Sequence, residues 1–245
     1  MAAEHIIKSY DEELSRLSKM MVEMGGLAES QLAAAIDAVT RRDSELAARV
    51  IEGDEKVDQL ERDMDNLAIR LLALRQPMAR DLREIVVALK IGSDLERIGD
   101  YAANVAKRSI ALAQSPPIQS MHALPRMASL ALRLVKDVID AYVARDADKA
   151  LAVWVGDEEL DEMYASLFRV FLTYMMEDPR NIGPCTHVLF MAKNIERIGD
   201  HATNVAENVY YLVHGTPLTQ ARPKGDKSSL EVVAPERPTG QAGPR

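Results

Sequence analysis

The chain has 245 residues and a net charge of −8, and its residues are 47% hydrophobic but only 4% aromatic. An Ala-, Leu-, Glu- and Arg-rich chain with so few aromatics predicts helices rather than sheet. The acidic balance excludes a nucleic-acid binder, whose phosphate contacts need clustered Lys and Arg. No apolar run approaches the ~18 residues of a membrane span. The N-terminus lacks the basic and apolar regions of a signal peptide, and Cys185 is the only cysteine, so no intrachain disulfide forms. The composition therefore predicts a soluble, cytoplasmic, all-α protein with no nucleic-acid partner and no membrane insertion.

Helices are predicted over 8–41, 43–75 and 79–113, and again over 123–144, 147–176 and 181–213. Asp43 and Asp146 suit N-caps of the second helix in each set. Pro77 and the pair Asp178-Pro179 mark the turns into the third. The two sets are copies of one another. DLERIGDYAANVA at 94–106 returns as NIERIGDHATNVA at 194–206, and Gly53-Asp54-Glu55 with Asp58 returns as Gly156-Asp157-Glu158 with Asp161. The offset is 103 residues at Asp54 and Asp157 but 100 at Glu96 and Glu196, which puts a three-residue insertion at the first copy's connecting turn. The expected organisation is a first three-helix bundle over 1–113, a linker over 114–122 around Pro116 and Pro117, and a second bundle over 123–214. Residues 215–245 hold five of the eleven prolines and four of the twelve glycines; with no apolar periodicity, they predict a disordered tail.

Acid recurs at fixed places in both copies. Glu96 with Asp100, and Glu196 with Asp200, stand at i and i+4 on one helical face, where like charges repel. Asp58 precedes Pro77 by the same 19 residues by which Glu96 follows it. An antiparallel hairpin about that turn brings the two to one height, across the ~8 to 10 Å that separates packed helices. Asp54, Asp58, Glu96 and Asp100 are thus predicted to form a four-carboxylate site, and Asp157, Asp161, Glu196 and Asp200 a second. All-oxygen donors favour hard cations such as Mg²⁺, Mn²⁺ and iron. Asn104 and Asn204, one turn beyond, either complete the coordination shells or hydrogen-bond across the hairpin. The competing reading is that the acids are solvated faces paired with Arg62, Arg83, Arg97 and Arg197.

Other residues carry less. Cys185 and Trp154 read as core, as do Met20, Met21, Met24, Met175, Met176 and Met191. His201 reads as a surface or interface residue. Gly99 and Gly199, mid-helix at a cost near 1 kcal/mol relative to Ala, read as sites of close helix packing. No Gly-rich phosphate loop, Ser-His-Asp order or Cys/His metal spacing is present. A non-enzymatic role is therefore favoured over a metal-dependent oxidase or phosphohydrolase built on the carboxylate clusters.

The duplicated ERIGD segments, the paired GDE segments, and the connectors LRQPMARDLR and MMEDPRNIGPCTHVLFMAKNIERIGD closely resemble the PhoU family over residues 4 to 214. The resemblance implies two three-helix bundles related by a pseudo-twofold, with the Glu-x-x-x-Asp motifs binding clusters of iron, zinc, manganese or magnesium. It also implies a negative regulator of the phosphate-starvation response. Such a protein modulates phosphate uptake by linking the ATPase subunit of a phosphate ABC transporter to a membrane sensor histidine kinase. It would reach the membrane only through those partners, and a homodimer is expected.

Overall fold

The turns between helices are built from the residues that the sequence places there, twice over. Arg42 and Arg145 adopt left-handed backbone angles, φ 56° and 54°, and each is followed by an aspartate that caps the next helix. Asp43 Oδ1 accepts from the backbone N–H groups of Glu45 and Leu46 at 3.0 and 2.9 Å, and Asp146 Oδ1 from that of Lys149 at 2.9 Å. Such caps satisfy donors that the first helical turn leaves open. The second turns differ. Left-handed Gln76 and Pro77 end one helix, whereas Asp178 caps a short 3₁₀ turn, Pro179–Asn181, in the other copy.

The computed structural model describes residues 2–117, 121–220 and 222. Helices α1 (Ala2–Arg41), α2 (Ser44–Arg75) and α3 (Ala79–Ala113) form the first bundle, and α4 (Ala123–Ala144), α5 (Ala147–Glu177) and α6 (Ile182–His214) the second. The fold is all-α, with two tandem three-helix bundles, and no strand occurs among the described residues. The first helix begins several residues before the expected residue 8. Among the described residues no helix is long and apolar enough to cross a membrane.

Val87, Ile91, Leu95, Ile98 and Ala102, the apolar stripe of α3, are fully buried, as are Met21, Met24 and Met191. Fully burying an aliphatic side chain of this size stabilises by about 1.5–3 kcal/mol. Met176 departs from its core expectation and is exposed. The bundles do not keep separate cores. α3 packs along α6, and α1 against α4, so the buried cluster is continuous through both. Polar ties reinforce the seam: Ser18 Oγ lies 2.9 Å from the Tyr142 hydroxyl, and Arg145 pairs with Glu84. Arg42 donates to the carbonyls of Leu112 and Ala113 at 3.0 and 2.8 Å and to that of Ser115. The start of the linker is thereby fastened to the α1–α2 turn.

Most of the stretch expected to be a disordered tail, residues 221 and 223–245, lies outside the described residues. The part described is anchored. Gly215, at φ 76°, donates to the Tyr211 carbonyl at 2.8 Å and ends α6. Leu218 packs against the core, and Arg222 returns to α5 and α6.

Candidate functional site

The α2–α3 hairpin unites the first four acids. Burial chiefly, then the charges of Asp100 and Asp58, raise the Asp54 pKa above its ordinary value. Burial and the Asp100 charge push that of Glu96 up to about 7 against the opposing pull of Arg97. Glu61, one turn beyond Asp58, belongs to the same cluster, its pKa raised by burial, Asp65 and Asp58. The counter-charges are Arg97, with Nη1 3.0 Å from Asp100 Oδ2 and Nε 3.5 Å from Glu96 Oε2, and Arg62, with Nη1 3.9 Å from Asp58 Oδ2, both more than half exposed. This cluster is half-buried and open to solvent.

The α5–α6 hairpin unites the second four, and here burial is deeper. Asp157, Asp161 and Glu196 are 0%, 2% and 4% exposed. Burial lifts the Asp157 pKa to about 6, with Arg222 opposing and Asp161 and Asp200 adding to the rise. Burial lifts Glu196 to about 7, with Lys193 opposing and Asp200 and Asp161 adding. Two cations sit among the acids. Lys193 Nζ donates to Glu196 Oε1 at 2.8 Å. The Arg222 guanidinium bridges Asp157 Oδ2 and Asp200 Oδ1, the latter at 2.7 Å. Asp157 Oδ1 and Glu196 Oε2 remain buried with no hydrogen-bond partner.

Glycine makes this approach of aspartate to helix possible. A Cβ on Gly199 would stand 2.2 Å from Asp157 Oδ1 and 2.4 Å from Leu160 Cδ2. On Gly99 it would stand 3.0 Å from Gln31 Oε1 and 3.3 Å from Asp54 Oδ1. The first aspartate of each cluster therefore lies against the backbone of the facing helix. The close packing expected of both glycines is packing against the site itself.

The donor set suits a hard cation, and the orphaned Asp157 and Glu196 oxygens are those that an ion would satisfy. Among the described residues, however, no three His, Cys, Asp or Glu side chains are already arranged to hold an ion. The asparagines stand apart from this. Asn204 Nδ2 donates to Asp94 Oδ1 across the α3–α6 seam at 3.2 Å, neither toward its own cluster nor across its hairpin. Asn104 is half-buried on α3. His201 Nδ1 lies 2.8 Å from the same Asp94 oxygen and its ring 5.6 Å from that of Tyr101, which makes it an interface residue. Cys185 is buried and its thiol pKa raised by burial, so it is held protonated. Trp154 is core, its Nε1 donating to Glu207 Oε1 at 2.9 Å.

Sequence reasoning omits Glu61, Gln31, Lys193 and Arg222. Glu61 and Lys193 had a signal, since each stands three residues from an acid already chosen. Gln31 and Arg222 had none. Gln31 comes from α1 and is buried beside Gly53 and Gly99, whereas in the second copy Leu134 takes its place beside Gly156.

A tandem repeat of three long helices, each copy carrying a carboxylate cluster on its second hairpin, defines a class of duplicated helical-bundle proteins. The PhoU domain model matches residues 21–109 and 124–209, and the chain belongs to the PhoU family. It is 51% identical over 224 residues to the phosphate-specific transport system accessory protein PhoU homolog of Caulobacter vibrioides (strain NA1000 / CB15N), covering 91% of this chain and 97% of that one. The homolog of the same name in Xylella fastidiosa (strain 9a5c) is 52% identical over 225 residues, 92% of this chain and 95% of that one. The crystal structure of PhoU from Pseudomonas aeruginosa superposes with a TM-score of 0.82 at 41% identity, covering 84% of this chain and all of that one.

Proposed function

We propose that the chain is the accessory regulator of a phosphate-specific transport system, restraining the phosphate-starvation response when phosphate is plentiful. The observation that carries this reading is the family match in both copies, with relatives of that name aligned over nearly their whole length. The protein acts by contact, as a cytoplasmic homodimer that reaches the membrane through its partners. One face engages the ATPase subunit of the transporter and another the sensor histidine kinase. Duplication supports this, because two similar bundles offer two surfaces. Deleting the gene should switch on the starvation regulon in high phosphate without removing an enzyme activity. A silent regulon in the deletion strain would sink the adaptor reading. So would turnover of a phosphate ester by purified protein that is lost in Glu96 and Glu196 variants.

The carboxylate clusters belong to the same proposal as metal sites for iron, zinc, manganese or magnesium. Asp54, Asp58, Glu96 and Asp100 would hold ions in the first bundle, and Asp157, Asp161, Glu196 and Asp200 in the second. A bound ion supplies positive charge that cancels part of the acidic field of each face, which tunes docking through electrostatic complementarity. The raised pKa values and orphaned oxygens of these groups support the reading, since both describe carboxylates short of positive charge. Because an ion that binds only the folded chain must stabilise it, melting curves with each metal test the sites. Neutralising Glu96 and Asp100 to Gln and Asn should remove the response of the first.

A further inference from the structure

We propose that Arg222 is a tethered cation that occupies the second carboxylate cluster and must leave before a metal ion can seat there, so that two sites of like ligands bind with unequal affinity. The inference rests on the metal reading above and concerns what this chain's own residue does to it.

The path of the chain supports a built contact. After the left-handed turn at Gly215, the chain doubles back along α6. From Asp200 to His214 that helix rises about 21 Å, which is within the maximum reach of roughly 23–25 Å that the seven residues from Gly215 to Arg222 allow, so Arg222 can meet Asp200. Three points tie the segment down. Gly215 sits against the Arg83 guanidinium, which a Cβ there would meet at 2.6 Å. Pro217 and Leu218 line a groove of about 490 Å³ with Lys90, Asn204, Asn208 and Tyr211. Arg222 then inserts its side chain, 13% exposed, between Asp157, which is buried, and Asp200.

Its contacts are with oxygens that an ion would need. Asp157 Oδ2 and Asp200 Oδ1 cannot bind a guanidinium and coordinate a metal in the same arrangement, so the two cations exclude one another. The guanidinium is also not a complete match, since Arg222 Nε is buried without a partner and Asp157 Oδ1 is left unpaired. A buried ion pair with unmet hydrogen bonds recovers only part of its desolvation cost, which leaves it displaceable by a cation of higher charge. The first cluster differs. Its counter-charges, Arg97 of α3 and Arg62 of α2, come from the hairpin itself and lie more than half exposed at the rim. The first site is open, and the second is latched.

The latch lowers the apparent affinity by the fraction of molecules in which the site is free. A contact closed nine-tenths of the time weakens binding roughly tenfold. The test uses the full chain with the first cluster silenced by Glu96→Gln and Asp100→Asn, titrated with Mn²⁺ while free ion is followed by electron paramagnetic resonance. Arg222→Ala should bind Mn²⁺ about tenfold more tightly than Arg222, and Arg222→Lys, which keeps the charge, should fall between them. A metal-free double-mutant cycle of Arg222→Ala with Asp157→Asn, read by melting in chelator, should be non-additive, and it compares folded variants directly. Equal Mn²⁺ affinity with and without Arg222 overturns the latch while the metal reading stands. Additivity in the cycle overturns it by denying the contact. Absence of Mn²⁺ binding in every variant removes the metal reading and the latch with it, and leaves Arg222 as a structural tie.

Discussion

At Glu96, Glu196 and Asp157, burial and like charge outweigh the nearby Arg97, Lys193 and Arg222, so each carboxyl keeps its proton to a higher pH than in the unfolded chain. The sign of the stability effect follows from linkage. A carboxyl whose pKa is raised by folding stabilises the fold while protonated. That contribution is complete below its unfolded value near 4 and is lost as pH rises through about 6 for Asp157 and about 7 for the two glutamates. The metal-free chain should therefore melt at lower temperature at pH 8 than at pH 5.5, and Glu96→Gln should flatten the dependence by removing one titrating group. Thermal melts across that range decide it, and a rise in melting temperature toward pH 8 would contradict the assignment. Metal should act in the opposite sense, binding more tightly as pH rises because its ligands must lose their protons.

Along each hairpin, the height of the carboxylates is set by residue counts from the turn, while their closeness to the facing helix is set by glycine. Gly199→Ala drives a methyl into Asp157 and Leu160 and should destabilise by about 1–3 kcal/mol, as overpacking does. Gly99→Ala meets first the end of a flexible Gln31 side chain at 3.0 Å, so its cost should be the smaller. Denaturant midpoints of the two variants give the order, and equal values would show that the two clusters are packed alike. At the caps, Asp43→Ala should cost about 1 kcal/mol, because the carboxylate that accepts from Glu45 and Leu46 is lost.

Across the whole molecule the continuous core has a thermodynamic consequence. α3 and α6 each complete the other's burial, so separating the bundles would expose the faces of α3 and α6 that meet at the seam. Calorimetry should show a single transition whose calorimetric and van't Hoff enthalpies agree. Two resolved transitions would mean that each bundle carries its own core. Because α1 also meets α4, the seam involves two helices of each bundle.

Helix positions, Asp caps, the internal repeat and the pairing of Asp58 with Glu96 across Pro77 could all be read from the chain, because periodicity, capping and turn chemistry act over a few residues and a hairpin turns separation into height. The eight carboxylates were legible for that reason. The tertiary structure decided the rest: that the second cluster is buried and the first open, that Gln31 stands in one where Leu134 stands in the other, that Asn204 and His201 turn to Asp94, that the two bundles share one core, and that Arg222 closes on Asp157. Each of these joins groups on separate helices or a returning tail, brought together only when the bundles pack. Burial and electrostatic environment belong to that packing, and local sequence pattern does not encode them.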